Sequence, residues 1–138
     1  MSLLADISAY LVAQSIGTAN DAVKEGWGIS IGKMPNHKDR MIGLFEYGGY
    51  PPELTHDKSM DVMPALQVRV RGEPGSAGYT AGIAKADAIL ALLHGLSNTT
   101  LTSTSYKLIR ANNSPAFIGS DDRGRPEWTI NFSIIKAP

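Results

Sequence analysis

The residues able to do chemistry are few and far apart. The chain has three histidines, His37, His56 and His94. His37 and His56 stand in polar stretches, and His94 sits at the end of an apolar-periodic segment, where a cation suits a helix dipole. None belongs to an H-x-x-x-H or H-E-x-x-H pattern, which would turn two imidazoles of one helix towards a metal. Loop and helix-end histidines are therefore expected, without a metal or cofactor. Serines are numerous, and no histidine is placed to serve one as a base.

Gly72, Gly75 and Gly78 follow an apolar alternation and open a helical one, as the glycines of a phosphate loop do. Such a loop needs Gly-Lys-Ser/Thr, so that ammonium and hydroxyl reach phosphate and magnesium. Here Tyr79-Thr80 follows Gly78, and the next lysine is Lys85. A turn that swings a strand into a helix accounts for these glycines better. A metal-dependent nuclease is the enzyme class a small α+β domain could host, and it needs a carboxylate and a lysine on a central strand with a second acid nearby. The best strand carries Gln67-Val68-Arg69 instead, an amide where the acid belongs, and Glu46 and Asp61 do not complete a site without it. Catalysis is not expected, and a small nuclease is kept as the alternative of a different class.

Arg69 and Arg71 lie two apart on the polar side of that strand, so both reach the same surface. Each alone reads as a solvated sheet residue. Together they form a fork for carboxylates. Asp121-Asp122 is one candidate partner, and the sequence leaves open whether the pairing is within one molecule or between two.

Composition sets the frame for these residues. The chain has 138 residues, 43% apolar and 19% charged, enough for one domain with one core. No apolar run approaches the ~20 residues that cross a bilayer. Met1 to Ala13 contains Asp6 and lacks the basic lead and cleavage site of a signal peptide, so synthesis in the cytoplasm is expected. Cysteine is absent, which removes disulfides and thiolate chemistry. Thirteen basic residues balance thirteen acidic ones. A protein that grips DNA phosphates carries a basic excess, so protein partners are favoured.

The positioning elements follow from periodicity. Leu3, Leu4, Ile7, Tyr10 and Leu11 recur at helical spacing, with Ser2 as N-cap and Gly17 as stop, which predicts a helix from Leu3 to Ser15. Trp27, Ile29 and Ile31 alternate as a short strand; Lys33 to Arg40 is a loop. Met41 to Tyr47 is apolar on both sides and so central. Gly48-Gly49-Tyr50-Pro51-Pro52-Glu53 suits neither helix nor strand, and the loop runs to Met63. Leu66, Val68 and Val70 alternate with Gln67, Arg69 and Arg71 as a half-buried strand.

Tyr79, Ile83, Ala86, Leu90 and Leu93 mark a second helix closed by Gly95. Ala81, Ala84, Ala88 and Ala91 lie off its core line, where a further element could pack closely. Asn98 to Thr104 reads as a polar turn, and Tyr106 to Ala111 and Glu127 to Lys136 as the last strands. The expected fold is a single α+β domain, a mixed or antiparallel sheet of about five strands with two helices on one face, in the order α-β-β-β-α-β-β.

Five stretches in this order carry a family resemblance. They are Leu4-Ala5-Asp6-Ile7-Ser8-Ala9-Tyr10-Leu11, Ile42-Gly43-Leu44-Phe45-Glu46-Tyr47-Gly48-Gly49-Tyr50-Pro51-Pro52, and Pro64-Ala65-Leu66-Gln67-Val68-Arg69-Val70-Arg71-Gly72. Leu92-Leu93-His94-Gly95-Leu96 follows, then Ser114-Pro115-Ala116-Phe117-Ile118-Gly119-Ser120-Asp121-Asp122-Arg123-Gly124-Arg125-Pro126-Glu127-Trp128. The chain resembles the small proteins of tailed phages known as minor capsid or tail terminator proteins. The Lys33–Arg40 and Thr55–Met63 loops depart from that pattern.

The resemblance implies a non-enzymatic virion protein at the tail–neck junction, made in the bacterial host. Its implied form is a hexameric ring that caps the tail tube, stops its polymerisation and joins it to the head connector. A neck or head-completion protein of the same assembly is the nearer alternative. Implied partners are copies of the chain, the tail tube protein and the head–tail connector, with DNA passing through the ring and no membrane. A closing ring needs two different, complementary patches on each copy. Glu46, Tyr47, Tyr50, Pro51, Pro52, Arg69, Arg71, Asp121 and Arg123 are the expected contact residues.

Overall fold

The computed structural model describes residues 3–19, 26–49, 51 and 61–137. The chain runs α1 (Leu3–Ala13), β1 (Gly28–Ile31), β2 (Met41–Tyr47), β3 (Ala65–Arg71), α2 (Ser76–Leu93), β4 (Leu96–Leu101), β5 (Thr104–Ala111), β6 (Ala116–Ser120) and β7 (Pro126–Lys136). The expected caps at Ser2 and the loop residues Tyr50, Pro52 and His56 lie outside the described residues.

Strand β7 is the spine of the sheet. One of its edges pairs with β3 over 127–133; the other takes β6 near its start and β5 near its end. The order β1-β2-β3-β7-β5-β4 completes the sheet, with β6 off that path. Only β1 and β2 are parallel among the paired strands. The period-two pattern of β3 carries through the register. Ile42, Val70 and Trp128 form one row and Leu44, Val68 and Ile130 the next, all facing the helices. Leu3, Ile7 and Leu11 of α1 and Ala86, Ile89 and Leu93 of α2 close over these rows in one continuous core. The α+β class and the single helical layer agree with the sequence reading.

The strand count does not. The sheet has seven strands rather than five, because Asn98–Thr104 is largely strand β4 and its hairpin with β5, and Ala116–Ser120 is a strand of its own. Both are edge strands, β4 with half and β6 with most of its residues exposed, and neither shows the apolar alternation by which a half-buried strand is recognised. The β4–β5 turn is made by Thr102 at φ 57°. A bulge in β5 between Tyr106 and Leu108 lets Tyr106 and Ile109, three apart, both reach the core.

Helix α2 is rotated from its expected face. Its buried residues are Gly78, Gly82, Ala86, Ile89 and Leu93, while Tyr79 is 42% exposed and Ile83 and Leu90 only flank the core. The reason is the indole of Trp128, fully buried beneath the helix. A Cβ on Gly82 would overlap that ring. Glycine sends no hydrophobic signal, so spacing alone selects the neighbouring line. Ala81, Ala84 and Ala91 are exposed, with no described element over them. Replacing Gly82 with alanine improves helix propensity by up to ~1 kcal/mol but forces the indole aside at about 1–3 kcal/mol. A net loss of up to roughly 2 kcal/mol is expected in urea unfolding. A gain would mean that Trp128 yields freely.

The β3–α2 turn supports the structural reading of its glycines. Gly75 sits at φ 94° ahead of the helix, and a Cβ on Gly72 or Gly78 would strike main-chain atoms of the same turn. They allow the strand to double back closely under α2.

Candidate assembly surfaces

The sheet face opposite the helices bears the polar side chains of β3, and one half of it is covered by the 33–40 loop. Two buried arginines hold that loop down. Arg71, only 2% exposed, donates from Nε to the Asp39 carbonyl at 3.1 Å and from Nη2 to the carbonyls of Lys38, at 2.6 Å, and Pro35. Arg125, 1% exposed, donates to the Asn36 carbonyl and to Asn36 Oδ1 at 2.9 Å, and ion-pairs with Asp39 at 3.4 Å. Burial first, and then the charge of Arg125, lowers the pKa of Arg71 from its ordinary value. Main-chain carbonyls, which carry no net charge, thus supply the acceptors of Arg71, while Arg125 is met mostly by side-chain oxygens.

The turn after β6 orients Arg125. Asp121 Oδ1 accepts the main-chain N–H groups of Arg123 and Arg125, and Oδ2 accepts Arg125 Nε at 2.7 Å. Partial burial works against ionisation of Asp121, but these hydrogen bonds outweigh it and hold the carboxyl below its ordinary range. Arg123 Nη1 adds a bond to the Asn36 carbonyl at 3.1 Å. Asp121, Arg123 and Arg125 therefore clamp the 33–40 loop together with Arg71.

This overturns the picture of Arg71 as a solvated sheet residue, since β3 ends beneath a loop that needs donors. Within one molecule the partner of Asp121 is Arg125 of its own turn, not the Arg69–Arg71 pair. Arg69 differs from Arg71. Its guanidinium lies 5.5 Å from the Phe45 ring centroid, and its Nε is buried without a hydrogen-bond partner among the described residues.

The half of the same face that the 33–40 loop leaves holds a cleft of about 390 Å³ between the end of β2, residues 63–65 and the paired ends of β5 and β7. Tyr47, Met63, Leu108 and Ile135 give it apolar walls, and Arg110 stands at it, exposed. Gly49 lies so close to the Met63 carbonyl that a Cβ would overlap it, which draws the two ends of the 48–64 segment together. Tyr47 is thus brought to the cleft. Glu46 and Pro51 are exposed nearby in sequence, and Tyr50 and Pro52 lie outside the described residues.

A second surface surrounds β6. Phe117 and Ile118 are each 49% exposed. Phe117, Tyr79 and Trp128 form an edge-packed aromatic cluster with centroids 5.0–5.6 Å apart. Asp122 is exposed just beyond the strand. Arg110 and the β6 pair escape a sequence reading that looks for buried alternation. Their only signal is apolar residues in a segment rich in turn formers.

The elements that could do catalysis stay apart. Gly28-Ile29-Ser30-Ile31-Gly32 has the G-x-S-x-G spacing of a nucleophile elbow, yet Ser30 is buried within strand β1 rather than raised on a strand-to-helix turn. Asp61 is held by Lys107 at 2.9 Å. No group of three acids, histidines or cysteines gathers among the described residues. His94 Nδ1 accepts the Ala111 N–H at 3.0 Å and ties the end of α2 to β5. No described helix is long and apolar enough to cross a membrane.

Comparison with known proteins bears on these surfaces. Residues 10–138 match the sequence profile of a family described as bacteriophage tail terminator protein. Among solved structures, a chain from the virion of a native gene transfer agent particle superposes with a TM-score of 0.66 at 14% identity, over 99% of this chain and 96% of that one. At that identity the likeness is one of fold. No curated protein matches the chain.

Proposed function

The chain belongs to the bacteriophage tail terminator family, and from that membership we propose that it forms a hexameric ring that caps the tail tube, ends tube polymerisation and joins the tail to the head connector. The observation that carries this reading is the family match across residues 10–138 of the 138-residue chain. The protein acts by assembly rather than catalysis, at the tail–neck junction, with copies of itself, the tube protein and the connector as partners and DNA passing through its centre.

The geometry supports such a role. Each copy offers two unlike patches, the cleft on the bare sheet face and the apolar edge at β6, and unlike patches are what a closing ring requires. Glu46, Tyr47 and Pro51 are exposed, and neither Glu46 nor Arg69 has an ion pair among the described residues. Arg71, Asp121 and Arg123 contribute by holding the loop and turn in place. A formal charge of zero leaves little repulsion between copies.

The test is the mass of the purified protein alone and mixed with tail tubes, followed by electron microscopy of the mixture. Six-fold rings, free or on tube ends, are expected, with tubes no longer elongating once capped. A chain that stays monomeric and ignores tube ends at every concentration rules this function out.

A further inference from the structure

The two patches match each other in chemistry. The cleft joins apolar walls at Leu108 and Ile135 to an exposed cation, Arg110, which pairs with no carboxylate among the described residues. The β6 edge joins the half-exposed Phe117 and Ile118 to an exposed anion, Asp122, which pairs with no cation among the described residues. Their neighbours are already committed: Lys107 to Asp61, and Asp121 to Arg125. Arg110 and Asp122 are charges without an ion pair among the described residues, each beside one of the two apolar surfaces.

One copy cannot bring the patches together. Phe117 pairs opposite Trp128, on the helical face near the start of β7, whereas the cleft lies on the other face beside Ser133 and Ile135. The five residues from Trp128 to Ser133 span roughly 17 Å along the strand. The sheet itself stands between the two patches.

We infer that the β6 edge of one copy seats in the outer-face cleft of the next, with Phe117 and Ile118 against its apolar walls and the Asp122 carboxylate on the Arg110 guanidinium. The inference rests on the ring reading and names the contact that closes the ring. The contact is head-to-tail, so each copy uses both patches and none is left open after closure. The ion pair fixes register and excludes a self-paired dimer, because like charges would then face each other. The apolar pair supplies the attraction. Two half-exposed side chains fall well short of the roughly 800 Å² per partner of a stable interface, so assembly depends on ring closure or on a tube end as template.

Charge reversal tests the pairing. Arg110→Glu and Asp122→Arg should each lower ring yield on tube ends about tenfold or more, and the two together in one chain should restore it. Both sites are exposed, so circular dichroism should stay that of the parent. Because the chain has no cysteine, Leu108→Cys with Ile118→Cys gives a clean second readout. A short bis-maleimide should link this double variant into a ladder ending at the closed ring. Ile118→Cys alone should give no linked species.

Rings of normal yield from either reversal overturn this contact and leave the ring reading standing. Dimers from Ile118→Cys alone overturn it in favour of a self-paired edge. Parent protein that forms no rings, together with a double variant that forms no ladder, overturns both readings.

Discussion

Replacing Arg125 with methionine lowers the stability of the fold by about 3–5 kcal/mol and releases the 33–40 loop. Arg125 is buried, and its guanidinium ties the loop, through Asn36 and Asp39, to its own turn, through Asp121, just ahead of the spine strand. Methionine fills much of the same volume but leaves the Asn36 carbonyl and Asp121 Oδ2 without this donor, each at roughly 1–3 kcal/mol. One effect has the opposite sign, since Arg71 loses a like-charged neighbour. That relief is smaller, because the carbonyls around Arg71 already stabilise its charge. Arg125→Lys should recover little, as a lysine cannot present the guanidinium fork. In a domain of this size the loss amounts to a fall in Tm of roughly 10 °C or more. Arg123→Ala, which removes one exposed hydrogen bond, should cost less than about 1 kcal/mol. A methionine variant within about 0.5 kcal/mol of the parent would show that the latch does not hold the loop.

The latch also shapes the assembly surface. It seals one half of the bare sheet face with the chain's own loop, with Met34 packed close above Gly43. Among the described residues, the other half holds the cleft. A variant with a released loop should therefore assemble poorly even at temperatures where it remains folded. This is why mutating Arg71 cannot report on an intersubunit salt bridge, whereas Arg110 and Arg69 can.

What the sequence made legible was whatever repeats with a period. The rows Leu66-Val68-Val70 and Trp128-Ile130-Phe132-Ile134 alternate cleanly, because each has one face in the core, and they are the central strands β3 and β7. Helix α1 was readable for the same reason. Gly72, Gly75 and Gly78 were readable as a turn, because a phosphate loop demands residues that are missing there. The edge strands β4 and β6 were lost, since neither buries a regular alternation of apolar residues. The face of α2 was misplaced by one line, because Trp128 sits 46 residues beyond Gly82 in the chain and nothing local announces it. The arginine roles divided for a similar reason. Arg69 and Arg71 have the same spacing and the same sheet face, and only the return of the 33–40 loop separates a buried latch from a half-open cation.

A second large effect is expected at the contact between α1 and β5. Tyr106 donates its hydroxyl to Asp6 Oδ2 at 2.6 Å, with both side chains fully buried, and Asp6 Oδ1 has no partner among the described residues. Tyr106→Phe keeps the ring and removes the donor, leaving a buried carboxyl with no hydrogen bond from this side. The cost is about 3 kcal/mol, at the upper end for a hydrogen bond to a charged group. Asp6→Leu in the Phe background should recover most of it, since an apolar pair of similar volume needs no donor.

The same contact carries a pH signature. Burial first, and then the hydrogen bond and charge of Asp6, raises the Tyr106 pKa well above its ordinary value of about 10. A folded-state pKa above the unfolded one gives stability that is whole below pH ~10 and is lost as the pH rises past it, because the unfolded chain then releases a proton that the folded chain retains. Urea unfolding from pH 8 to roughly pH 11 should therefore show the parent weakening towards the Tyr106→Phe variant, which lacks this contribution. A stability gap between the two that stays constant across that range would mean that the hydroxyl is not held by the Asp6 carboxylate.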